Sequence, residues 1–373
     1  MPSVPLLAGG LVILLALSKI FYNIFLHPLR SYPGPWYAKA TIFWSQYHAY
    51  KGNLTYLFTT FDVIGHLAFA ESFGCLQNSE YHPWIEFMFS TIRYGSMMGA
   101  LKRVEASLAA LVKNMIPERI RKQREKLYSM TDELVMRRRS TEPSYTDFMT
   151  HLLGAEQGGK LTMPDVFAQA PILVIAGSET TATLLSGGTY HLLTNRRVYD
   201  RVVSEIRGRF ADQSEINVNS ISELKYLLAF FDEALRMYPP AANNLPRMTP
   251  PQGATILGKW VPGNTAVGIH QYAQFHSPAN FADPEVFAPE RFLETGDPKW
   301  ENDRRDALQP FSFGPRNCIG RNLAYVEMRL ILASILWNFD MELVSGQENW
   351  IDQKIYLVWE KHPLMVKLTP VKR

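Results

Sequence analysis

Cysteine is scarce in this 373-residue chain, which has only Cys75 and Cys318. Two distant cysteines cannot form a disulfide framework for a chain this long, so a reducing, cytosol-facing compartment is favoured. A strong charge of one sign is also lacking. The formal net charge of +3 is too small to indicate nucleic-acid binding, although it suits an anionic membrane or an acidic partner. The sequence shows no zinc-ligand spacing among its histidines, no serine nucleophile elbow and no phosphate-binding loop.

The N-terminal segment is a long apolar run. Residues 4–17 carry no charge, and the run resumes beyond Lys19. Together these residues approach the roughly 20 that a helix needs to cross a bilayer. Lys19 and Arg30 lie within or after the run, which favours an anchor with a cytoplasmic C-terminal side over a cleaved signal peptide. We predict a membrane anchor and hinge over residues 1–32, followed by one domain over residues 33–373.

The longest helix of the body is predicted from Thr162 onwards. Thr162 and Asp165 have the spacing of a capping box, and small and apolar residues continue from Val166 to Leu193. A helix of this length is typically central and buried. Gly177 is a poor helix former within it and requires a reason, such as the close approach of another group.

The other segments predict a mainly α-helical domain with small attached β-sheets. The basic stretch 113–139 is expected to form a solvent-exposed helical face that ends in a loop at 137–139. Further predicted elements are helices at about 197–210, 222–237 and 321–337, strands within 243–269 and near the C-terminus, and irregular loops at 284–292 and 311–320.

The segment FSFGPRNCIG, residues 311–320, has the residue types that a thiolate ligand requires. The sulfur of Cys318 must be held by backbone donors and shielded from water. Gly314 and Gly320 allow the necessary turns, Phe311 excludes water, and Arg316 can meet an acidic group of a cofactor. The alternative is a buried cysteine in a glycine turn.

This segment resembles the heme-binding signature of the cytochrome P-450 family, F-x-x-G-x-R-x-C-x-G. The resemblance implies a cytochrome P-450 fold that binds heme b, with Cys318 as the axial ligand of the iron. It also implies cofactor contacts from Phe311, Gly314, Arg316, Gly320 and, in a strand segment Leu-Pro-Arg, Arg247.

Three further segments resemble the family in the order that it requires. Glu233 and Arg236 match its E-x-x-R element, and Arg291 lies in a P-E-R-F loop. The resemblance implies a structural triad that supports the heme pocket. The stretch 176–181, AGSETT, resembles the oxygen-activating part of the central helix, which implies that Glu179 and Thr180 relay protons.

The resemblance extends to function. Residues 61–65 and 71–74 are similar to fungal secondary-metabolite members, such as hydroxylases of trichothecene pathways. The implied activity is monooxygenation of a lipophilic terpenoid or polyketide, with electrons from an NADPH-dependent cytochrome reductase. Substrate contacts would come from 172–176 and 241–245. The implied location is the endoplasmic reticulum membrane, with a single span and a cytosolic catalytic domain.

The chain departs from the family pattern between its proline hinge and Phe58. The first sheet strands and the W-x-x-x-[RK] helix that contacts a heme propionate are not found there, since His48 follows Trp44 at that spacing. Two other functions therefore stay open. One is a catalytically dead, membrane-bound remnant, and the other is a heme-thiolate isomerase or dehydratase that needs no external electrons.

Overall fold

The computed structural model describes residues 56–78, 83–104, 116–294 and 297–372. The predicted membrane anchor and hinge, residues 1–32, lie outside these ranges. Within them, no helix combines the length and the apolar character needed to span a bilayer.

The described chain is mainly α-helical, with three small antiparallel sheets. The helices are α1 (Tyr56–Phe69), α2 (Cys75–Asn78), α3 (Pro83–Val104), α4 (Glu118–Arg139), α5 (Phe148–Gln157), α6 (Met163–Thr194), α7 (Arg196–Arg209), α8 (Lys225–Met237), α9 (Gln271–Phe275) and α10 (Arg321–Asn338). The strands are β1 (Arg247–Met248), β2 (Ala254–Ile256), β3 (Lys259–Val261), β4 (Ala266–Val267), β5 (Phe339–Leu343) and β6 (Val366–Pro370).

Helix α6 is the centre of the molecule, as the sequence predicts. Thr162 caps its first turn by accepting a hydrogen bond from the Asp165 N–H, and the Asp165 carboxylate accepts one from the Thr162 N–H. Pro171 lies inside the 32-residue helix without ending it. Most side chains from Ser178 to Leu192 are buried, so the middle of α6 is enclosed by other elements.

Helix α1 lies directly against the middle of α6. A Cβ atom on Gly177 would come within 2.5 Å of Ile64 Cδ1, so only glycine leaves room for this isoleucine. The Thr60 hydroxyl donates to the Ser178 carbonyl at 2.9 Å, and Tyr56 shares a buried hydrogen bond with Thr189. The close approach expected at Gly177 is therefore made by α1.

The two fungal-type segments near the start of the domain form one packing unit. The Asp62 carboxylate accepts hydrogen bonds from the N–H groups of Cys75 and Leu76, at 3.0 and 2.8 Å, and so caps α2. A Cβ atom on Gly65 would lie 2.7 Å from the Glu71 carbonyl. Close packing of this helix and the following turn explains the residue types in both segments.

The predicted loop at the end of α4 is wrong, because Arg137, Arg138 and Arg139 are helical. Arg138 is buried and forms a two-pronged ion pair with Asp147, with N–O distances of 2.6 and 3.0 Å. The neighbouring arginines remain partly exposed. The buried ion pair between Arg138 and the residue before α5 therefore stabilises the last turn of α4. The number of basic residues in the sequence does not by itself indicate this contact.

Helices α7, α8 and α10 pack with α6 around the larger hydrophobic core. The Glu205 carboxylate on α7 accepts hydrogen bonds from the N–H groups of Tyr226 and Leu227, both at 2.8 Å. It thereby satisfies the first turn of α8, which has no side-chain cap of its own. This contact fixes α8, which carries Glu233 and Arg236.

The sheets are small and lie beside the helices. Strand β1 pairs with β4, β2 with β3, and β5 with β6, all antiparallel. Strand β5 begins immediately after α10. The prediction of a mainly helical domain with small attached sheets is confirmed.

Candidate functional site

The cysteine loop, residues 311–320, is closed by its own backbone. The Cys318 N–H donates to the Phe311 carbonyl at 2.8 Å, and the Asn317 N–H donates to the Gly314 carbonyl at 3.0 Å. Gly314 has φ +77°, a left-handed conformation that favours glycine. A Cβ atom on Gly320 would lie 3.8 Å from Cys318 Sγ, so the sulfur lies against the residue that precedes α10.

The exposed side of the cysteine loop combines a thiol with apolar side chains. Cys318 is exposed, Phe313 is 83% exposed and Ile319 is 100% exposed. Helix α10 starts at Arg321, and the free N–H groups of a helix start favour negative charge. An exposed sulfur next to a helix start, on a loop that also exposes apolar side chains, fits a thiolate that binds a large apolar cofactor.

Phe311 has the opposite orientation and packs inward. It belongs to the partly buried residues of the larger core, with its ring centroid 5.4 Å from that of Tyr325. The Tyr325 hydroxyl donates to Asp232 on α8 at 2.7 Å. Burial raises the pKa of Asp232 to about 6 against the opposing effect of this hydrogen bond. Phe311 therefore connects the cysteine loop to the core rather than covering its exposed side.

Helix α6 has one exposed stripe next to its buried faces. Ile172, Ala176 and Thr180 follow one another at four-residue spacing and are exposed or half-buried. The Thr180 hydroxyl donates to the Ala176 carbonyl at 2.6 Å. Its oxygen keeps the capacity to accept a hydrogen bond from another donor. The stripe offers a small-residue, largely apolar surface with a single hydroxyl.

Glu179 lies on a different face of α6 from Thr180. Its side chain is fully buried, and Oε1 accepts hydrogen bonds from Lys361 Nζ and from the Thr183 hydroxyl, the latter at 2.9 Å. Its Oε2 is buried and has no hydrogen-bond partner among the described residues. In the described ranges, the structure brings Glu179 to the C-terminal segment and shows no hydrogen bond between it and Thr180.

Helices α6 and α10 are connected by a buried carboxyl group. Glu327, in the second turn of α10, is buried and hydrogen-bonded to the side chain of Thr181. Burial raises the pKa of Glu327 to about 7, although this hydrogen bond opposes the shift. The helix that follows Cys318 is thus joined to the residue next to Thr180.

The structure brings Glu233, Arg236 and Arg291 together, all three fully buried. Arg236 Nε donates to Glu233 Oε2 at 2.8 Å, and Arg291 Nε donates to Glu233 Oε1 at 3.2 Å. Arg236 also donates to the carbonyls of Phe275 and Pro284, at 2.9 and 2.7 Å. These bonds tie α8 to the chain that leads towards the cysteine loop.

Asp303 completes this cluster and is missing from the sequence prediction. Its carboxylate pairs with Arg291, and it is 1% exposed. With it, two guanidinium groups face two carboxylates, so the buried cluster is electrically neutral. Charge counting could have found it, because two buried arginines and one glutamate leave a positive charge that a further acid must balance.

The two predicted propionate-binding arginines are both exposed. The Arg247 guanidinium donates to the carbonyls of Leu245 and Pro246, at 3.1 and 3.2 Å. Arg316 lies in the short 3-10 turn Gly314–Arg316 of the cysteine loop. Both are available to an acidic group on a bound molecule, as a heme propionate requires.

The predicted substrate loop 241–245 is anchored to the C-terminal segment. Asn243 Nδ2 donates to the Tyr356 carbonyl at 2.9 Å, and Trp359 Nε1 donates to the Pro239 carbonyl at 2.8 Å. Tyr238 also stacks on Trp359, with ring centroids 4.2 Å apart. The segment that carries Lys361 therefore lies beside this loop, a relation that no local sequence signal gives.

A protein-family model described as cytochrome P-450 matches residues 54–368. Cytochrome P-450 monooxygenase astA of Talaromyces wortmannii is 45% identical over 316 residues, which are 84% of this chain and 64% of that protein. Cytochrome P-450 monooxygenase atr2 of Stereocaulon alpinum is 45% identical over 318 residues, which are 85% of this chain and 62% of that protein. The chain therefore spans less than two thirds of the length of these relatives.

A solved structure shows the same fold. The crystal structure of the cytochrome P-450DA heme domain superposes with a TM-score of 0.70 at 22% identity, covering 87% of this chain and 68% of that one. The family match, the relatives and the fold agree with the complete F-x-x-G-x-R-x-C-x-G segment. The chain belongs to the cytochrome P-450 family.

Proposed function

We propose that the protein is a heme-thiolate monooxygenase that oxidises a lipophilic small molecule in fungal secondary metabolism. The observation that carries the proposal is the exposed Cys318 thiol on a loop closed by its own backbone, among exposed apolar side chains. Two relatives with 45% identity carry the name monooxygenase. The proposed cofactor is heme b, which, when bound through a thiolate, supplies the activation of dioxygen.

The cysteine loop holds the cofactor in this proposal. Cys318 provides the thiolate, while Phe313 and Ile319 exclude water from its surroundings. Arg247 and Arg316 pair with the propionates. The buried cluster around Glu233 fixes the chain on either side of the loop and takes no direct part in the chemistry.

Thr180 and Glu179 move protons in the proposed reaction. The Thr180 hydroxyl lies on the exposed stripe of α6, where it can accept one proton and pass on another. Glu179 is the neighbouring acid, held on the buried side by Lys361. Delivery therefore requires a proton to pass from the buried to the exposed side of the helix.

The substrate, the redox partner and the location are further parts of the proposal. Ile172 and Ala176 offer an apolar surface to a terpenoid or polyketide. The described residues form no flavin- or nicotinamide-binding domain, and an NADPH-dependent cytochrome reductase is the proposed electron donor. The proposed location is the endoplasmic reticulum membrane, to which residues 1–32 would attach the domain.

The replacement Thr180→Ala tests the proposed proton path. Heme content should stay unchanged, because the Thr180 hydroxyl donates to a carbonyl of its own helix. Product formed per NADPH should fall and hydrogen peroxide should rise, because the proton transfer that leads to product becomes slower. Removal of one catalytic proton carrier typically lowers the rate of such a step by about 10²–10⁴-fold. The measurement follows NADPH, peroxide and product in the same reaction.

Thr194→Ala is the matched control. Its hydroxyl likewise donates to the backbone of α6, to the Tyr190 carbonyl at 2.9 Å, but at the far end of the helix. It should leave product per NADPH unchanged. Unchanged coupling in Thr180→Ala would make Thr180 an ordinary helix residue and contradict the proposed path.

A further inference from the structure

Among the described residues, the cation that pairs with Glu179 is Lys361, from a distant part of the chain. Lys361 lies 182 positions further on, and its Nζ donates both to Glu179 Oε1 and to the Thr183 hydroxyl, the latter at 2.6 Å. The Lys361 side chain is 14% exposed, whereas that of Glu179 is 0% exposed. The three groups form a closed triangle that reaches solvent only through the lysine.

This contact compensates the burial of the Glu179 carboxyl group. A buried carboxylate is strongly disfavoured unless a cation and hydrogen bonds compensate it. Thr183 contributes a hydrogen bond but no charge, and in the part of the chain that the structure describes Glu179 Oε2 has no hydrogen-bond partner. The nearby Tyr238 hydroxyl adds no positive charge, and burial together with Glu179 raises its pKa. Lys361 therefore supplies a positive charge that compensates the burial of Glu179, and it holds the carboxyl group away from Thr180.

We infer that Lys361 is the positioning residue for Glu179: it holds this acid on the buried side of α6 and opposes delivery of its proton towards Thr180. The inference rests on the proposed monooxygenase function. Glu179 must carry a proton in order to deliver one, and the ammonium group of Lys361 opposes its protonation. When Lys361 is neutralised, the buried carboxyl group should keep its proton to higher pH.

The test compares Lys361→Met with Lys361→Arg in the full chain loaded with heme. Product per NADPH is measured from acid to alkaline pH, and the carbon monoxide spectrum confirms equal heme content. In Lys361→Met, the alkaline limb of the profile should move upward by about one pH unit or more. Lys361→Arg keeps the positive charge and should restore the profile of the unmodified chain.

Thr183→Val is the control for packing. It removes the third member of the triangle but keeps the charge pair, so its profile should stay close to that of the unmodified chain. The inference is wrong if Lys361→Met leaves the profile unchanged while heme is bound. It is also wrong if Thr183→Val moves the profile as far as Lys361→Met does.

A second readout does not depend on turnover. Lys361→Met should lower the melting temperature, because it leaves a buried carboxylate without a cation, and the additional replacement Glu179→Gln should recover part of the loss. If the unmodified chain bound no heme, the proposed function would fail. The melting temperatures of the single and double variants would still decide whether Lys361 and Glu179 form an ion pair. Additive effects of the two replacements would show that Lys361 does not compensate Glu179.

Discussion

Replacing Arg291 by methionine removes one of the two cations from a fully buried cluster. Arg291 contacts Glu233 and Asp303, and its guanidinium carbon lies 4.1 Å from the centroid of the Trp300 ring. Without it, two buried carboxylates share Arg236 alone, and the cluster changes from neutral to a net charge of −1.

The loss of stability in Arg291→Met arises because a buried carboxylate is left without its cation. Removal of one member of a buried ion pair typically destabilises by about 3–5 kcal/mol. Loss of the contact with Trp300 adds on the order of 1 kcal/mol. Because a native domain has a free energy of unfolding of about 5–15 kcal/mol, Arg291→Met should lose a large part of its stability.

The assay is urea unfolding followed by circular dichroism. A second replacement, Asp303→Asn, restores neutrality and should recover part of the loss caused by Arg291→Met. The surface control is Arg197→Met, because Arg197 is 61% exposed and pairs with Glu290. Such a pair contributes about 1 kcal/mol or less.

Three results bear on the reasoning. A loss in Arg291→Met no larger than in Arg197→Met would refute it. Strictly additive effects of Arg291→Met and Asp303→Asn would do the same. If Arg291→Met fails to fold but the double variant folds, charge balance is confirmed as the reason.

Three further predictions concern the helices and the membrane. Gly177→Ala should destabilise by about 1–3 kcal/mol in urea unfolding through its contact with Ile64, and much less in the Ile64→Ala background; equal costs would exclude that contact as the cause. The pKa of Glu327 is raised from 4.5 to about 7 in the folded state, so the stability of the unmodified chain relative to Glu327→Gln should be full at acid pH. That stability should fall as pH rises through about 4.5–7, and a flat difference in unfolding free energy would contradict this. Removal of residues 1–30 should move the protein from the membrane to the soluble fraction on centrifugation, and an already soluble full-length chain would argue against the anchor.

Local signals predict helices α6, α7, α8 and α10 of this fold. Thr162 and Asp165 identify the start of α6 because a capping box involves only residues three apart. The end of α8 at Met237 follows from the proline pair after it. Motif order, from Glu179 through Glu233 to Cys318, predicts the family, because each short pattern gains weight from the others.

Contacts between distant segments are what the sequence does not show. The pairing of Lys361 with Glu179 joins residues 182 positions apart, and neither neighbourhood carries a signal for it. Arg138 looks like one of three similar basic residues, yet it alone is buried against Asp147. The partner of Gly177 is equally hidden, since glycine indicates a close approach but not which side chain makes it.

The most direct test of the account is the absorption spectrum of the purified, heme-loaded chain after reduction and exposure to carbon monoxide. A thiolate ligand predicts a strongly red-shifted band, because it donates electron density to the iron. Cys318→Ser should abolish this band, and Cys75→Ser should keep it, because Cys75 is buried in the packing of α1 and α2. Absence of the band from the unmodified chain, or its survival in Cys318→Ser, would contradict Cys318 as the thiolate ligand of a working heme site.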